Sequence, residues 1–112
     1  MPAACSAVDL DTFARLGLAL ADESRRRLLV ALIDGPAYPS DLAADLELTR
    51  ANVSNHLACL RGCGLVVTRP EGRRIRYELA DKRIGRGLRN LVDLVLVVDP
   101  ELCPAARDEG CC

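Results

Sequence analysis

Aromatic side chains are scarce: among 112 residues only Phe13, Tyr38 and Tyr77 are aromatic, and tryptophan is absent. Half of the chain is nevertheless hydrophobic, so the core has to be assembled from Leu, Val, Ile and Ala. Apolar runs are short. None, Leu94–Val98 included, approaches the ~20 residues needed to cross a bilayer. The opening stretch MPAACSAVDLDTFARLGLAL holds no basic leader and is broken by Asp9, Asp11 and Arg15. No export signal is therefore expected, and the cytoplasm is the expected compartment. An excess of one charge is missing too, since the net charge of −1 argues against a disordered acidic or basic tail protein. No base stands beside a nucleophile, and there is no phosphate loop or paired acid–base site, so an enzyme is not expected.

What the chain does have is cysteine. There are six, at positions 5, 59, 63, 103, 111 and 112. A disulfide framework belongs to exported, loop-rich chains. Here the thiols are read as ligands, reactive groups or packing in a reducing compartment. The length suits one domain, and a chain this small gains from burying further surface against a partner.

Residues 1–8 are small and unpatterned, and are expected to be a mobile arm. From Leu10 the residues Phe13, Leu16, Gly17 and Leu20 recur at helical spacing. Asp22 is placed to cap a second helix carrying Leu28, Leu29, Leu32 and Ile33, which ends at Gly35-Pro36. After Pro39, Ser40 is expected to cap a short helix with Leu42, Ala43 and Leu46 inward. Glu47-Leu48 makes a tight turn, and Thr49 caps a helix from Arg50 to about Cys63. The period then changes from helical to alternating. Residues 65–69 and 74–79 read as strands around a turn at Pro70-Glu71-Gly72-Arg73. Asp81 caps a last helix with the stripe Ile84, Leu88, Leu91, Val92 and Val95, expected to continue through Leu94–Val98 and to stop at Asp99-Pro100. Such an apolar end needs a partner surface, for which a second copy of the chain is the natural candidate.

The expected architecture is mainly α with a small β-wing, in the order α-α-α-α-β-β-α: a winged helix-turn-helix over residues 9–98, paired through its terminal helices, followed by a tail at 99–112. A helix-turn-helix places its second helix in the major groove of DNA. Charge segregation agrees with this. Residues 1–49 carry −4, residues 50–79 carry +4, residues 80–98 carry +2 and residues 99–112 carry −3. The positive block coincides with the reading helix and the wing, where arginines attract phosphates.

On the reading helix Val53, Leu57 and Leu60 share one side and form its buried face. Thr49, Arg50, Ala51 and Ser54 fall off that face near the N-terminal end, with Asn52 and Asn55 beside them. These residue types reach base edges and phosphates. His56, the only histidine, is read as a flank residue bonding backbone or phosphate. Arg73, Arg74 and Arg76 supply the wing. Cys59 and Cys63, at i and i+4, lie one above the other with Cβ atoms about 5–6 Å apart. That separation lets two thiolates share one metal ion, though a pair at this spacing can equally be packing. The negative end of a helix dipole discourages a free thiolate, whereas a thiophilic cation deprotonates the thiol outright. The pair suits metal capture better than nucleophilic catalysis.

The stretch ALADESRRRLLVALIDGPAYPSDLAADLELTRANVSNHLACLRGCGLV closely resembles the ArsR/SmtB family of metal-sensing winged-helix repressors. The resemblance rests on ALAD-x-x-R at 19–25, LT-x-x-x-VS-x-HL at 48–57 and GLV at 64–66, and spans about residues 10–98. It implies a homodimer that leaves operator DNA when an inducer binds. The family's common thiolate site, in a motif like ELCVCDL, falls on Ala37-Tyr38-Pro39-Ser40-Asp41-Leu42, which has no cysteine. Its zinc or nickel site needs several histidines in the C-terminal helix, where this chain offers only Asp81 and Asp93. What remains is similar to the cadmium/lead-sensing branch, with two thiols on the reading helix and a third in the tail. Cys59, Cys63 and Cys103 match that pattern, and in that branch the tail thiol comes from the other subunit. Cys5, Cys111 and Cys112 are accessory candidates. The expected inducer is Cd(II) or Pb(II), as suits soft sulfur ligands. The rivals are As(III)/Sb(III), a thiol-redox signal, and a metal-buffering protein that binds no DNA.

Overall fold

The computed structural model describes residues 9–94 and 96–103. The expected arm at 1–8, Val95, Cys5, Cys111 and Cys112 lie outside the described residues. The elements run α1 (Leu10–Leu20), α2 (Glu23–Ile33), α3 (Pro39–Leu46), α4 (Arg50–Gly62), β1 (Val66–Glu71), β2 (Arg74–Leu79) and α5 (Lys82–Val92). This is the order expected from the sequence.

Short polar side chains start four of these five helices. Asp9 accepts the N–H groups of Asp11 and Thr12, Asp22 that of Arg25, Thr49 that of Asn52 and Asp81 that of Arg83. Each satisfies a donor the helix itself leaves orphaned. In α3 the expected cap at Ser40 is not used. That helix begins two residues earlier than a Ser40 cap would place it, at Pro39 behind Tyr38, with no side-chain cap. Proline has no N–H to satisfy and its fixed φ is already helical, so a cap is less needed. Between α3 and α4 the chain reverses through Glu47 at φ 56, a left-handed conformation that costs a non-glycine residue roughly 1–2 kcal/mol. The N–H of Leu48 compensates by closing on the carbonyl of Ala43 at 3.0 Å.

The core is entirely aliphatic among the described residues. Leu28, Leu29 and Leu32 of α2, Leu42 and Ala43 of α3, and Val53, Leu57 and Leu60 of α4 meet Ala19, Leu65, Val66 and Leu88. The side of α4 opposite this cluster stays open, which is what positions the site.

The wing is an antiparallel hairpin in which Val66 pairs with Leu79 and Glu71 with Arg74. Pro70 and Glu71, expected in the turn, belong to β1. A two-stranded ribbon has edges on which a proline costs no ladder bond, so only Gly72 and Arg73 are left to turn. Gly72, at φ 61, supplies the positive φ such two-residue connections require. A further backbone bridge joins Ala37, ahead of α3, to Tyr77, with N–H···O distances of 2.9 and 2.8 Å.

The last helix is shorter than expected. It ends at Val92 with Asp93 as C-cap, and Leu94 and residues 96–98 are not helical. These leucine and β-branched side chains are more than half exposed, Val97 fully so. Helix propagation there would lose rotamer freedom with little packing in return. Leu10 and Phe13 of α1 and Leu91 and Val92 of α5 are likewise more than half exposed. No helix among the described residues is long and apolar enough to cross a membrane.

Candidate nucleic-acid interface and thiol pair

The turn between α3 and α4 fixes the reading helix on its buried stripe and leaves its N-terminal half outward. Arg50, Ala51, Asn52, Ser54 and Asn55 are exposed. Among the described residues, the side chains of Arg50, Asn52, Ser54 and Asn55 have no hydrogen bond or ion pair. Thr49 stands at the same end, its hydroxyl oxygen accepting the Asn52 N–H at 3.0 Å. Together they form one exposed surface on which Arg50, Asn52, Ser54 and Asn55 carry uncommitted polar side chains, of the kind base edges and phosphates meet.

His56 is placed elsewhere. It is half-buried and turned toward the corner between α1 and α2, where Nδ1 lies 3.5 Å from Nη1 of Arg25 and Nε2 3.8 Å from the Asp22 carboxylate. It braces the helix from behind.

The three wing arginines differ in their partners. Arg73, in the turn, is exposed and has no hydrogen bond or ion pair among the described residues. The Arg74 guanidinium lies 3.5 Å from the centroid of the Tyr38 ring and 3.5 Å from the Asp41 carboxylate. Arg76 pairs with Glu71 at 2.8 Å and with Glu78 at 3.4 Å. Tyr38 donates its hydroxyl to Glu71, and that bond pushes the Tyr38 phenol above its ordinary pKa. Sequence reasoning missed Tyr38, Asp41 and Glu71. The one available signal was a tyrosine standing directly before the proline that opens α3.

Cys59 and Cys63 sit together at the C-terminal end of α4, both half-buried. The Cys63 N–H closes the last turn on the Cys59 carbonyl at 3.0 Å. Burial pushes the Cys63 thiol up, and the neighbouring Cys59 thiol adds to the effect, while Arg15 and Arg25 oppose it. A thiol held protonated is a poor nucleophile, but a soft cation displaces its proton. The donor pair therefore fits a thiophilic ion, and two sulfurs leave its coordination incomplete. Cys103 is also half-buried, in a turn whose N–H meets the Asp99 carbonyl at 2.9 Å. Among the described residues no three His, Cys, Asp or Glu side chains gather closely enough to hold a metal ion. One chain thus brings Cys59 and Cys63 together and does not bring Cys103 to them.

A helix-turn-helix with a β-wing and an arginine-bearing outer face defines a winged-helix regulator. Residues 22–68 match the family model for bacterial regulatory proteins of the arsR family. The chain is 62% identical over 95 residues to the HTH-type transcriptional regulator CmtR of Mycobacterium tuberculosis, covering 84% of this chain and 80% of that one. The NMR structure of the cadmium metal-sensor CMTR from Mycobacterium tuberculosis aligns with a TM-score of 0.64 at 65% identity, over 77% of this chain and 90% of that one. A homodimeric winged helix-turn-helix DNA-binding domain from Mycobacterium bovis aligns with a TM-score of 0.71 at 29% identity, covering 91% of each chain. The chain belongs to the arsR family of bacterial regulatory proteins, which are regulators and not enzymes.

Proposed function

We propose that the chain is a cytoplasmic, homodimeric, metal-responsive transcriptional repressor. Its two reading helices occupy successive major grooves of a palindromic operator through Thr49, Arg50, Asn52, Ser54 and Asn55, with the wings at the flanking phosphates. Cd(II) or Pb(II) binds Cys59 and Cys63 together with Cys103 of the partner subunit, and the operator is released.

The observation that carries this reading is the half-buried Cys59–Cys63 pair on the very helix whose other end is open for DNA. A ligand at that pair acts on the reading head without touching its DNA face. Two thiols in one chain, an apolar face left open on α1 and α5, and similarity to a protein described as a cadmium metal-sensor all fit a site completed across a dimer. Three soft sulfurs favour large thiophilic ions over hard ones. Tying the end of α4 to the partner's tail changes the spacing of the two reading helices, and coupling of this kind is typically about 1–3 kcal/mol.

The test is operator binding by fluorescence anisotropy, with and without Cd(II), alongside the sulfur-to-cadmium absorbance. Cys59→Ser and Cys63→Ser should keep apo DNA affinity and lose both the absorbance and the release. Release by cadmium in the Cys59→Ser/Cys63→Ser double variant would place the sensing site elsewhere.

A further inference from the structure

The Tyr38 cluster is not accounted for by the reading helix or by the thiols. A two-stranded hairpin alone in water is marginal, so something must aim this one. Its base is held by Val66 in the core, by Tyr77 and Leu79 packed against that core, and by the Ala37–Tyr77 backbone bridge. Holds at the base alone would leave the tip of the ribbon free to swing. The second hold is at the other end, on the last pair before the turn, Glu71 and Arg74. Tyr38 takes both members of that pair: its ring lies under the Arg74 guanidinium, and its hydroxyl donates to Glu71. Tyr77 and Arg74 are three residues apart, about 10 Å along a strand. With the base seated in the core, a second hold at that separation fixes the direction of the tip, and that hold comes from Tyr38, next to the bridging Ala37 in the segment that leads into α3.

We propose that Tyr38 is a positioning residue that aims the wing, so that Arg74 and Arg76 act within the protein and Arg73 is the turn arginine left to meet a phosphate. The proposal rests on the DNA-binding reading above. Arg76 is committed to Glu71 and Glu78, and Arg74 to the Tyr38 ring and Asp41. The Arg74–Asp41 pair is exposed on both sides, and such pairs contribute little. The hold therefore comes from the stacked ring and the charged chain Tyr38–Glu71–Arg76. Because Tyr38 precedes the first helix of the helix-turn-helix, the wing tip is indexed to the element that also carries α4. Arg73 then meets the backbone at a set distance from the bases that Arg50 and Asn52 read.

Two measurements on the full chain test this. In hydrogen exchange, Tyr38→Leu should speed the amides of residues 69–76, Pro70 excepted, by about tenfold and leave those of α2 and α4 unchanged. Tyr38→Phe, which keeps the ring under Arg74, should recover part of the protection. In anisotropy, the probe is a duplex selected from a randomised pool by the wild-type protein, titrated across a salt series. Arg73→Ala should lower the log–log salt slope by about 0.9 for each phosphate that is no longer neutralised. Arg74→Ala and Tyr38→Leu should weaken binding about tenfold with the slope kept, since they misplace the element that bears Arg73 and leave Arg73 itself in place. Unchanged exchange at residues 69–76 in Tyr38→Leu overturns the proposal, as does a slope decrease in Arg74→Ala equal to that in Arg73→Ala. If Tyr38→Leu does not fold, Tyr38→Phe and Arg74→Ala carry the same two readouts. A wild-type protein with no salt-dependent duplex binding removes the DNA reading, and the exchange result still decides whether Tyr38 holds the wing.

Discussion

Nη1 of Arg25 lies 3.5 Å from Nδ1 of His56, joining the first turn of α2 to the middle of the reading helix. The same guanidinium donates to the carbonyls of Leu18 at 2.7 Å and Ala19 at 3.3 Å, in the last turns of α1. One side chain thus gathers three helices at a corner. Arg25→Met removes a charged donor from two carbonyls at the end of α1, of which that of Leu18 also accepts the Ala21 N–H, and should lower the unfolding free energy by about 1–3 kcal/mol. His56→Gln should lower it less and leave the salt slope of DNA binding unchanged, because the imidazole faces this corner. Urea unfolding followed by circular dichroism, paired with anisotropy, reads both. A reduced slope in His56→Gln would put the imidazole on a phosphate.

The Asp81 carboxyl is held down to about 2 by the Arg83 side chain first and the Arg83 backbone N–H second. A carboxylate whose folded pKa is depressed stabilises fully above its unfolded value, here 3.8, and loses that contribution as pH falls through about 2. Asp81→Asn keeps the capping oxygen and removes the charge. Its stability deficit relative to wild type should therefore be constant from neutral pH down to about pH 4 and shrink between there and pH 2. Thermal melts across that interval, monitored at 222 nm, check it. A deficit that grows on acidification would contradict the assignment.

Most of the fold was legible because it is local. Caps at Asp22, Thr49 and Asp81, helical apolar spacing in α2 and α4, and alternation in β2 are properties of short windows. Of three departures, two have non-local causes and one, at Pro39, is local. Pro70 sits inside β1 because the ribbon has only one partner strand. Proline at the start of α3 made a Ser40 cap unnecessary. Leu94 and residues 96–98 are not helical where their side chains stand exposed instead of packed. In the site, Cys59 and Cys63 were legible from one helical turn. Tyr38 was not, because its partners Glu71 and Arg74 stand more than 30 residues away and meet it only when the wing folds back.

The number of thiol ligands sets how the proposed metal capture responds to pH. Burial, and after it the Cys59 thiol, holds Cys63 above its ordinary 9.0. In the metal-free protein this neutral thiol contributes stability that is complete below 9.0 and is lost as pH rises through the higher folded value. Capture runs the other way, because each thiolate that binds the ion releases a proton. Between pH 6 and 8 the logarithm of the apparent Cd(II) affinity should climb by about three per pH unit with three thiolate ligands, and by about two in Cys103→Ser. Competition titrations against a chelator of known proton dependence measure the slope. A slope of two in wild type and in Cys103→Ser alike would remove Cys103 from the site.

The open, mainly apolar groove between α1 and α5 is lined by Leu16, Ile84, Leu88 and Leu91 together with Gly87 and the paired Asp81 and Arg83, and Leu91 is 55% exposed. A charge there costs the isolated fold little, because the side chain is not committed to the core. Burying that charge against a second copy would be expensive, since an unpaired charge in an apolar contact loses its hydration. Leu91→Glu should therefore leave the circular dichroism spectrum unchanged and shift sedimentation from dimer to monomer. Two further losses follow from the proposed assembly. A monomer offers one reading helix to an operator that needs two, about 34 Å apart. It also keeps Cys59 and Cys63 but lacks Cys103 of the partner subunit, so cadmium absorbance should weaken together with operator binding. Val30→Glu is the control. Val30 is also about half exposed, at 49%, but it borders Arg26, Arg27 and Asp34 on another face of α2. The guanidinium groups of Arg26 and Arg27 beside it can pair with the added carboxylate, and this face lies away from α1 and α5, so dimer, DNA binding and cadmium response should all persist. Dimers that survive Leu91→Glu but dissociate in Val30→Glu would move the interface from the terminal helices to the back of α2.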